Sequence, residues 1–223
     1  MKVTSAIILA LFSPAFISSL FGQSGFVSLD TILHFGTIEP MYFSSDNFVG
    51  DTIEGYEAEK VLLTAEAASA LWLVEAELAP KGLGLKILDG YRPQTAVDHF
   101  LKWSKDVSDT ARKSLYYPHI AKDQLFEQGY IAEKSGHSRG SAVDLTLFNL
   151  KTGKELDMGS HVDHFDKISH PQNNRITQDQ RRNRDLLRSS MMRAGFAPLE
   201  TEWWHFILLE EPFPDTYFEF PVK

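Results

Sequence analysis

The chain contains no cysteine, so it can build neither a disulfide framework nor a thiolate metal site, and lipid anchoring through a cysteine is excluded. It also lacks positive charge: 22 Lys and Arg stand against 30 Asp and Glu, a formal net charge of -8. Nucleic acid is therefore not the expected partner, because displacing the counterions of a phosphate backbone requires basic patches. A small molecule fits this balance better.

Long apolar runs are missing as well. The nearest candidate lies at the N-terminus, where Met1-Lys2 precedes an apolar stretch from Ala6 to Phe12, Ser13-Pro14 interrupts it, and a second stretch runs from Ala15 to Phe21. The run falls short of the ~20 residues that a bilayer-spanning helix needs. One early positive charge, a short apolar core and small residues around Ser18, Ser19 and Gly22 resemble a secretory signal peptide. Residues 1–22 are read as this leader, with a buried N-terminal helix as the alternative. The expectation is an exported, periplasmic protein with no stable membrane anchor once the leader is removed, the alternative being a cytoplasmic one. The remaining 23–223 are read as one domain, since 43% hydrophobic content suffices for a single core and no compositional break divides it. Oligomeric state is not legible.

Apolar periodicity places the elements. Val61, Leu62, Ala65, Ala68, Leu71, Trp72 and Leu78 recur at three- and four-residue spacing, which predicts a helix over 58–78, ended by Pro80, Gly82 and Gly84. A short strand over 85–88 leads into Arg92-Pro93, and Pro93 opens a helix to about Trp103, so Arg92 sits at a strand-to-helix corner. Val143, Leu145 and Leu147 alternate with Ala142, Asp144 and Thr146, predicting a half-buried strand over 141–148 with Asp144 on its polar face. Thr177 and Gln180 form a capping box for a helix over 178–194, stopped by Gly195, whose Arg181, Arg182, Arg184 and Arg188 read as a solvated face. His205 to Leu209 is a last apolar strand. The class is α+β: one compact domain, a central antiparallel sheet flanked by helices, and a metal site in a cleft.

The chemistry is concentrated in two places, Ser135-Gly136-His137-Ser138-Arg139-Gly140-Ser141-Ala142-Val143-Asp144 and Glu202-Trp203-Trp204-His205. Two imidazoles and two carboxylates suit a catalytic zinc site, with three ligands, an open fourth position and one carboxylate left as a base. Gly136 and Gly140 let the loop bend until His137 and Asp144 converge. Residues three apart on a strand face opposite ways, so Glu202 must lie in a turn, loop or bulge before the strand of His205. Trp203 and Trp204 read as packing. His161, His164 and His170 mimic metal spacing but sit in a loop with nothing to fix them, so a second metal there is the weaker reading.

The chain resembles the zinc D-alanyl-D-alanine dipeptidases, the group that includes the vancomycin-resistance dipeptidase. The Ser-x-His-x-x-Gly-x-Ala-x-Asp pattern is shared with zinc D,D-carboxypeptidases and Hedgehog-type domains. The narrower likeness lies in Asp46-Asn47-Phe48, Asp89-Gly90-Tyr91-Arg92-Pro93, Asp144-Leu145-Thr146, Met158-Gly159-Ser160, Glu202-Trp203-Trp204-His205 and the closing Phe220-Pro221-Val222-Lys223. It spans nearly the whole chain after the leader, which is itself the departure from the family's cytoplasmic resistance enzymes.

The resemblance implies one Zn²⁺ per chain on His137, Asp144 and His205, with Glu202 as general base and Arg92 stabilising the oxyanion. It implies that Asp163 accepts the substrate ammonium, with Tyr42 and Ser135 lining the pocket, and that the substrate is the free dipeptide D-Ala-D-Ala. A D,D-carboxypeptidase acting on peptidoglycan stem peptides and a non-enzymatic zinc-binding domain are the other readings.

Overall fold

The computed structural model describes residues 24–223, so the expected leader lies outside the described residues. Five strands form the main sheet in the order β2 (Thr37–Ile38), β4 (Leu83–Asp89), β5 (Ala142–Asn149), β7 (His205–Leu208) and β6 (Phe196–Pro198). All neighbours run antiparallel except β2, which joins the edge of β4 in parallel through Thr37 and Ile38. A separate ribbon pairs β1 (Phe26–Ser28) with β3 (Leu62–Thr64). The helices are α1 (Ala65–Leu78), α2 (Gln94–Ser104), two single turns α3 (Lys113–Tyr116) and α4 (Gln124–Glu127), and α5 (Gln178–Arg193). This is the expected α+β architecture, apart from the parallel edge.

Two expectations about the helices change. The helix expected over 58–78 begins only at Ala65, because Leu62–Thr64 is taken up by pairing with β1 and Thr64 Oγ1 accepts the Ala67 amide as N-cap. The arginine-rich face of α5 is not uniformly solvated. Arg184 is buried, donating through Nε to the Met158 carbonyl at 2.6 Å and through Nη1 to those of Ile168 and His170 at 3.0 and 2.9 Å. The 158–170 loop has few regular backbone bonds of its own, so α5 supplies the donors that order it. The capping box of Thr177 and Gln180 and the left-handed Gly195 at the far end of α5 are as expected.

The expectation of a half-buried β5 is also overturned. Residues 142–147 are buried on both faces, because β5 is the central strand. Val143, Leu145 and Leu147 join an aliphatic core with Leu71, Val74 and Leu78 of α1 and Leu187 and Met191 of α5. Asp144 is buried without lying against that aliphatic packing, so it needs polar partners of its own. A second, aromatic core of Tyr42, Phe48, Tyr91, Phe100 and Phe165 includes Phe220 and Val222 from the C-terminal tail, which closes over the domain.

Candidate active site

Strand register builds the floor of the site. Asp89 of β4 lies opposite Asp144 of β5, and Asp144 lies opposite His205 of β7, so three neighbouring strands place three polar side chains in one row. An irregularity in the β4–β5 register between Ile87 and Asp89 brings Asp89 into that row. His137 arrives from the preceding loop, a 3₁₀ turn over Gly136–Arg139 in which the His137 amide donates to the capping Ser135 Oγ at 3.2 Å. Gly140 ends the turn at φ +80°, where a Cβ would stand 2.2 Å from Phe26 Cε1. Gly136 has an ordinary φ, and its need is room: a Cβ there would meet Ile207 Cδ1 at 2.5 Å.

His137 Nε2, His205 Nδ1 and the Asp144 carboxylate converge. The two ring nitrogens are 3.1 Å apart, with Asp144 Oδ2 3.2 Å from His137 Nε2 and Asp144 Oδ1 3.0 Å from His205 Nδ1. His137 Nδ1 lies 2.7 Å from the Gly90 carbonyl, which can only accept, so in the neutral ring the proton sits on Nδ1 and the Nε2 lone pair faces the cluster. A lone pair aimed at a carboxylate and a second imidazole requires a cation or proton between them. Bonds of about 2.0–2.1 Å to a tetrahedral metal separate its ligands by roughly 3.3 Å, close to the spacings here. The donor set therefore fits one divalent ion, and it is the only such group among the described residues. Burial pushes the Asp144 carboxyl up, but His137 and His205 outweigh it and hold it well below the usual carboxylate range.

The remaining expected residues surround this floor. Tyr42, Arg92, Ser135, His137, Asp144, Asp163, Glu202 and His205 all line one cavity of about 300 Å³, together with Phe100, Tyr130 and Leu199. Glu202 lies in a turn, the His205 amide reaching back to its carbonyl at 3.5 Å, which resolves the parity problem of the Glu202–His205 spacing. Burial, then the Asp144 charge, pushes the Glu202 carboxyl up to about 8, against the opposing pull of Arg92 and His137. Asp163 is buried at φ +59°, the lone non-glycine in the left-handed region among the described residues. It accepts a 2.7 Å hydrogen bond from the Tyr42 hydroxyl, yet burial and Asp144 push its carboxyl up to about 8. The cavity thus holds a concentration of carboxyl groups that a bound cation or protonation would relieve.

Arg92 stands at the corner between β4 and α2, its guanidinium carbon 4.9 Å from the Tyr42 ring centre and 5.3 Å from that of Phe100. Its Nε and Nη2 bind Asp89 Oδ2 at 2.9 and 2.8 Å, and Nη2 lies 3.6 Å from Asp144 Oδ2. Sequence reasoning missed Asp89, although it sits in the quoted Asp89–Pro93 segment, three residues before the arginine. The other histidines do not form a metal site: His161 Nδ1 and Nε2 are engaged by the Val162 and Leu115 carbonyls, and His164 Nδ1 by that of Leu115. Trp203 and Trp204 are buried as packing, with Trp203 Nε1 donating to Ser160 Oγ at 2.9 Å.

A small cleft floored by two imidazoles and a carboxylate, with an acid and a guanidinium beside it, belongs to the metallopeptidase class. Sequence comparison narrows the class: the chain belongs to the Peptidase_M15 family of D-ala-D-ala dipeptidases, matched over residues 22–223. The D-alanyl-D-alanine dipeptidase of Enterococcus faecium is 43% identical over 201 residues, 90% of this chain and 100% of that protein. The enzyme of the same name from Streptomyces coelicolor is 45% identical over 181 residues, 81% of this chain and 90% of that one. The Escherichia coli D-alanyl-D-alanine dipeptidase shares 34% over 171 residues, 77% of this chain and 78% of its own. Among solved structures, the D,D-pentapeptidase VanY in complex with Zn(II) is similar at 14% identity and a TM-score of 0.39, over 70% of this chain and 78% of that one.

Proposed function

We propose that this peptidase hydrolyses the free dipeptide D-alanyl-D-alanine to two D-alanines, using one zinc ion on His137, Asp144 and His205. The observation that carries the proposal is the convergence of the three metal donors, Glu202, Arg92 and Asp163 on one cavity of about 300 Å³, a size suited to a dipeptide. The relatives' names supply the substrate. When bound, zinc supplies Lewis acidity at the scissile carbonyl and acidifies water towards neutral pH.

The chain's own residues do the rest. Glu202 takes a proton from the attacking water and returns it to the departing amine. Arg92 turns its unengaged Nη1 edge to the carbonyl oxygen as negative charge develops there. Asp163, held by Tyr42, accepts the substrate ammonium, and the Ser135 region closes the pocket. An ammonium beside Asp163 compensates a carboxylate that burial otherwise disfavours, so binding energy and selection for a free amino terminus come from the same group.

The compartment belongs to this reading as well. The leader-like residues 1–21 fall before the family match, and an exported enzyme would act in the envelope on D-Ala-D-Ala released by wall turnover, making D-alanine available as a nutrient. The test measures D-alanine release from free D-Ala-D-Ala and from an N-acylated form, with and without chelator. The reading expects turnover of the free dipeptide alone, lost on chelation; preference for the acylated form would instead indicate a D,D-carboxypeptidase. Recovery of the protein from the cytosolic fraction with residues 1–22 intact would overturn the export reading.

A further inference from the structure

We infer that Tyr56 is a positioning residue for Arg92, acting through Asp89. The inference deepens the proposed function and rests on its assignment of Arg92 to the scissile carbonyl. Asp89 is buried and has two oxygens to satisfy. One, Oδ2, receives Nε and Nη2 of Arg92 at 2.9 and 2.8 Å; the other, Oδ1, receives the Tyr56 hydroxyl at 2.7 Å. The phenol thus fixes the rotation of the carboxylate, and the carboxylate grips one edge of the guanidinium. Arg92 Nη1 is left without a protein partner among the described residues, the edge available to a ligand.

Tyr56 is itself held from the far end of the chain. Val222 donates to the Gly55 carbonyl at 2.9 Å and accepts from the Glu57 amide at 2.8 Å, so the last strand-like segment bonds on both sides of Tyr56. The same tail receives the Tyr91 hydroxyl at the Phe220 carbonyl, 2.8 Å away, and the Phe218 amide donates to the Ser138 carbonyl at 2.8 Å. Removing the Tyr56 hydroxyl would leave Oδ1 buried and unpaired. The carboxylate would lose the bond that fixes its rotation, and a turned carboxylate would release the guanidinium edge.

The test is a double-mutant cycle on the zinc-loaded enzyme with Tyr56→Phe and Arg92→Ala. Tyr56→Phe should lower kcat roughly tenfold, the value of one hydrogen bond to a charged group, with KM and zinc content near those of the parent. In the Arg92→Ala background the same substitution should cost nothing further. Equal loss in both backgrounds, an unchanged kcat in the single variant, or a loss that follows falling zinc content would overturn the inference. If Arg92→Ala itself keeps full activity, the assignment of Arg92 is what fails. Should Tyr56→Phe melt too low to assay, Asp89→Asn runs the same cycle with the same expected coupling to Arg92.

Discussion

Replacing Asp163 by Asn should make the protein more stable and nearly inactive, and both effects follow from one geometry. The carboxyl is buried and its ionisation is displaced from the ordinary 3.8 to about 8, by burial first and Asp144 second. A carboxyl raised on folding keeps its proton longer in the native state than in the unfolded chain. Its effect is therefore a stability that falls with pH, starting near 3.8 and levelling off above about 8. Each pH unit in that window is worth about 1.4 kcal/mol, so at pH 7 the charge withholds on the order of 4 kcal/mol from the metal-free fold. Any cation in the cavity reduces this, so a gain of about 1–3 kcal/mol is the working expectation for Asp163→Asn.

Asn suits the site in every other respect. Its amide oxygen can still accept from Tyr42, and it tolerates the left-handed backbone at φ +59° at least as well as Asp. Catalysis should move the other way. Losing the anionic partner of a desolvated ammonium costs about 3–5 kcal/mol, which is a fall of roughly 10²–10⁴-fold in kcat/KM on D-Ala-D-Ala. Thermal melts of chelated protein at pH 4, 6 and 8, alongside D-alanine release, read both quantities. The variant's advantage should be near zero at pH 4 and widen towards pH 8. A variant less stable than its parent at every pH, or one with native kcat/KM, would refute the reasoning.

Two further substitutions separate chemistry from scaffolding. Glu202→Gln should retain one zinc per chain by metal analysis while kcat falls about 10²–10⁴-fold, the usual worth of a general base; unchanged hydrolysis at full zinc content would remove Glu202 from the mechanism. Arg184→Met should cost about 2–4 kcal/mol in a denaturant titration, since the Met158, Ile168 and His170 carbonyls lose their donors. Because those carbonyls anchor the loop of Asp163, KM should rise several-fold while kcat stays near native, and a loss in kcat alone would contradict this.

Much of the fold was legible because local physics marked it. Thr177 and Gln180 carry their own cap, Pro93 starts α2, and the alternation around Asp144 identifies β5. The failures arose where a distant segment overrode the local pattern. Val61 and Leu62 share the helical spacing of α1, but β1 claims Leu62–Thr64 as a strand partner. Arg184 shares the composition of a solvated face, but its donors are needed by carbonyls 14, 16 and 26 residues away in a loop with few regular backbone bonds of its own.

By itself the sequence determined the chemistry available to this protein. With no cysteine, the candidate metal donors are imidazole and carboxylate, and His137, Asp144, Glu202 and His205 stand out in the sequence as the group able to supply them. The tertiary structure alone decided how those groups meet. Register across β4, β5 and β7 set Asp89, Asp144 and His205 in one row, a relation between strands that no local spacing encodes. Folding then did what composition cannot: burial raised Asp163 and Glu202, the two histidines held Asp144 low against that same burial, and hydrogen bonds tied Arg92 through Asp89 and Tyr56 to the end of the chain. The physical reason is that charge in a protein takes its value from what surrounds it, and that surrounding exists only once distant segments are folded together.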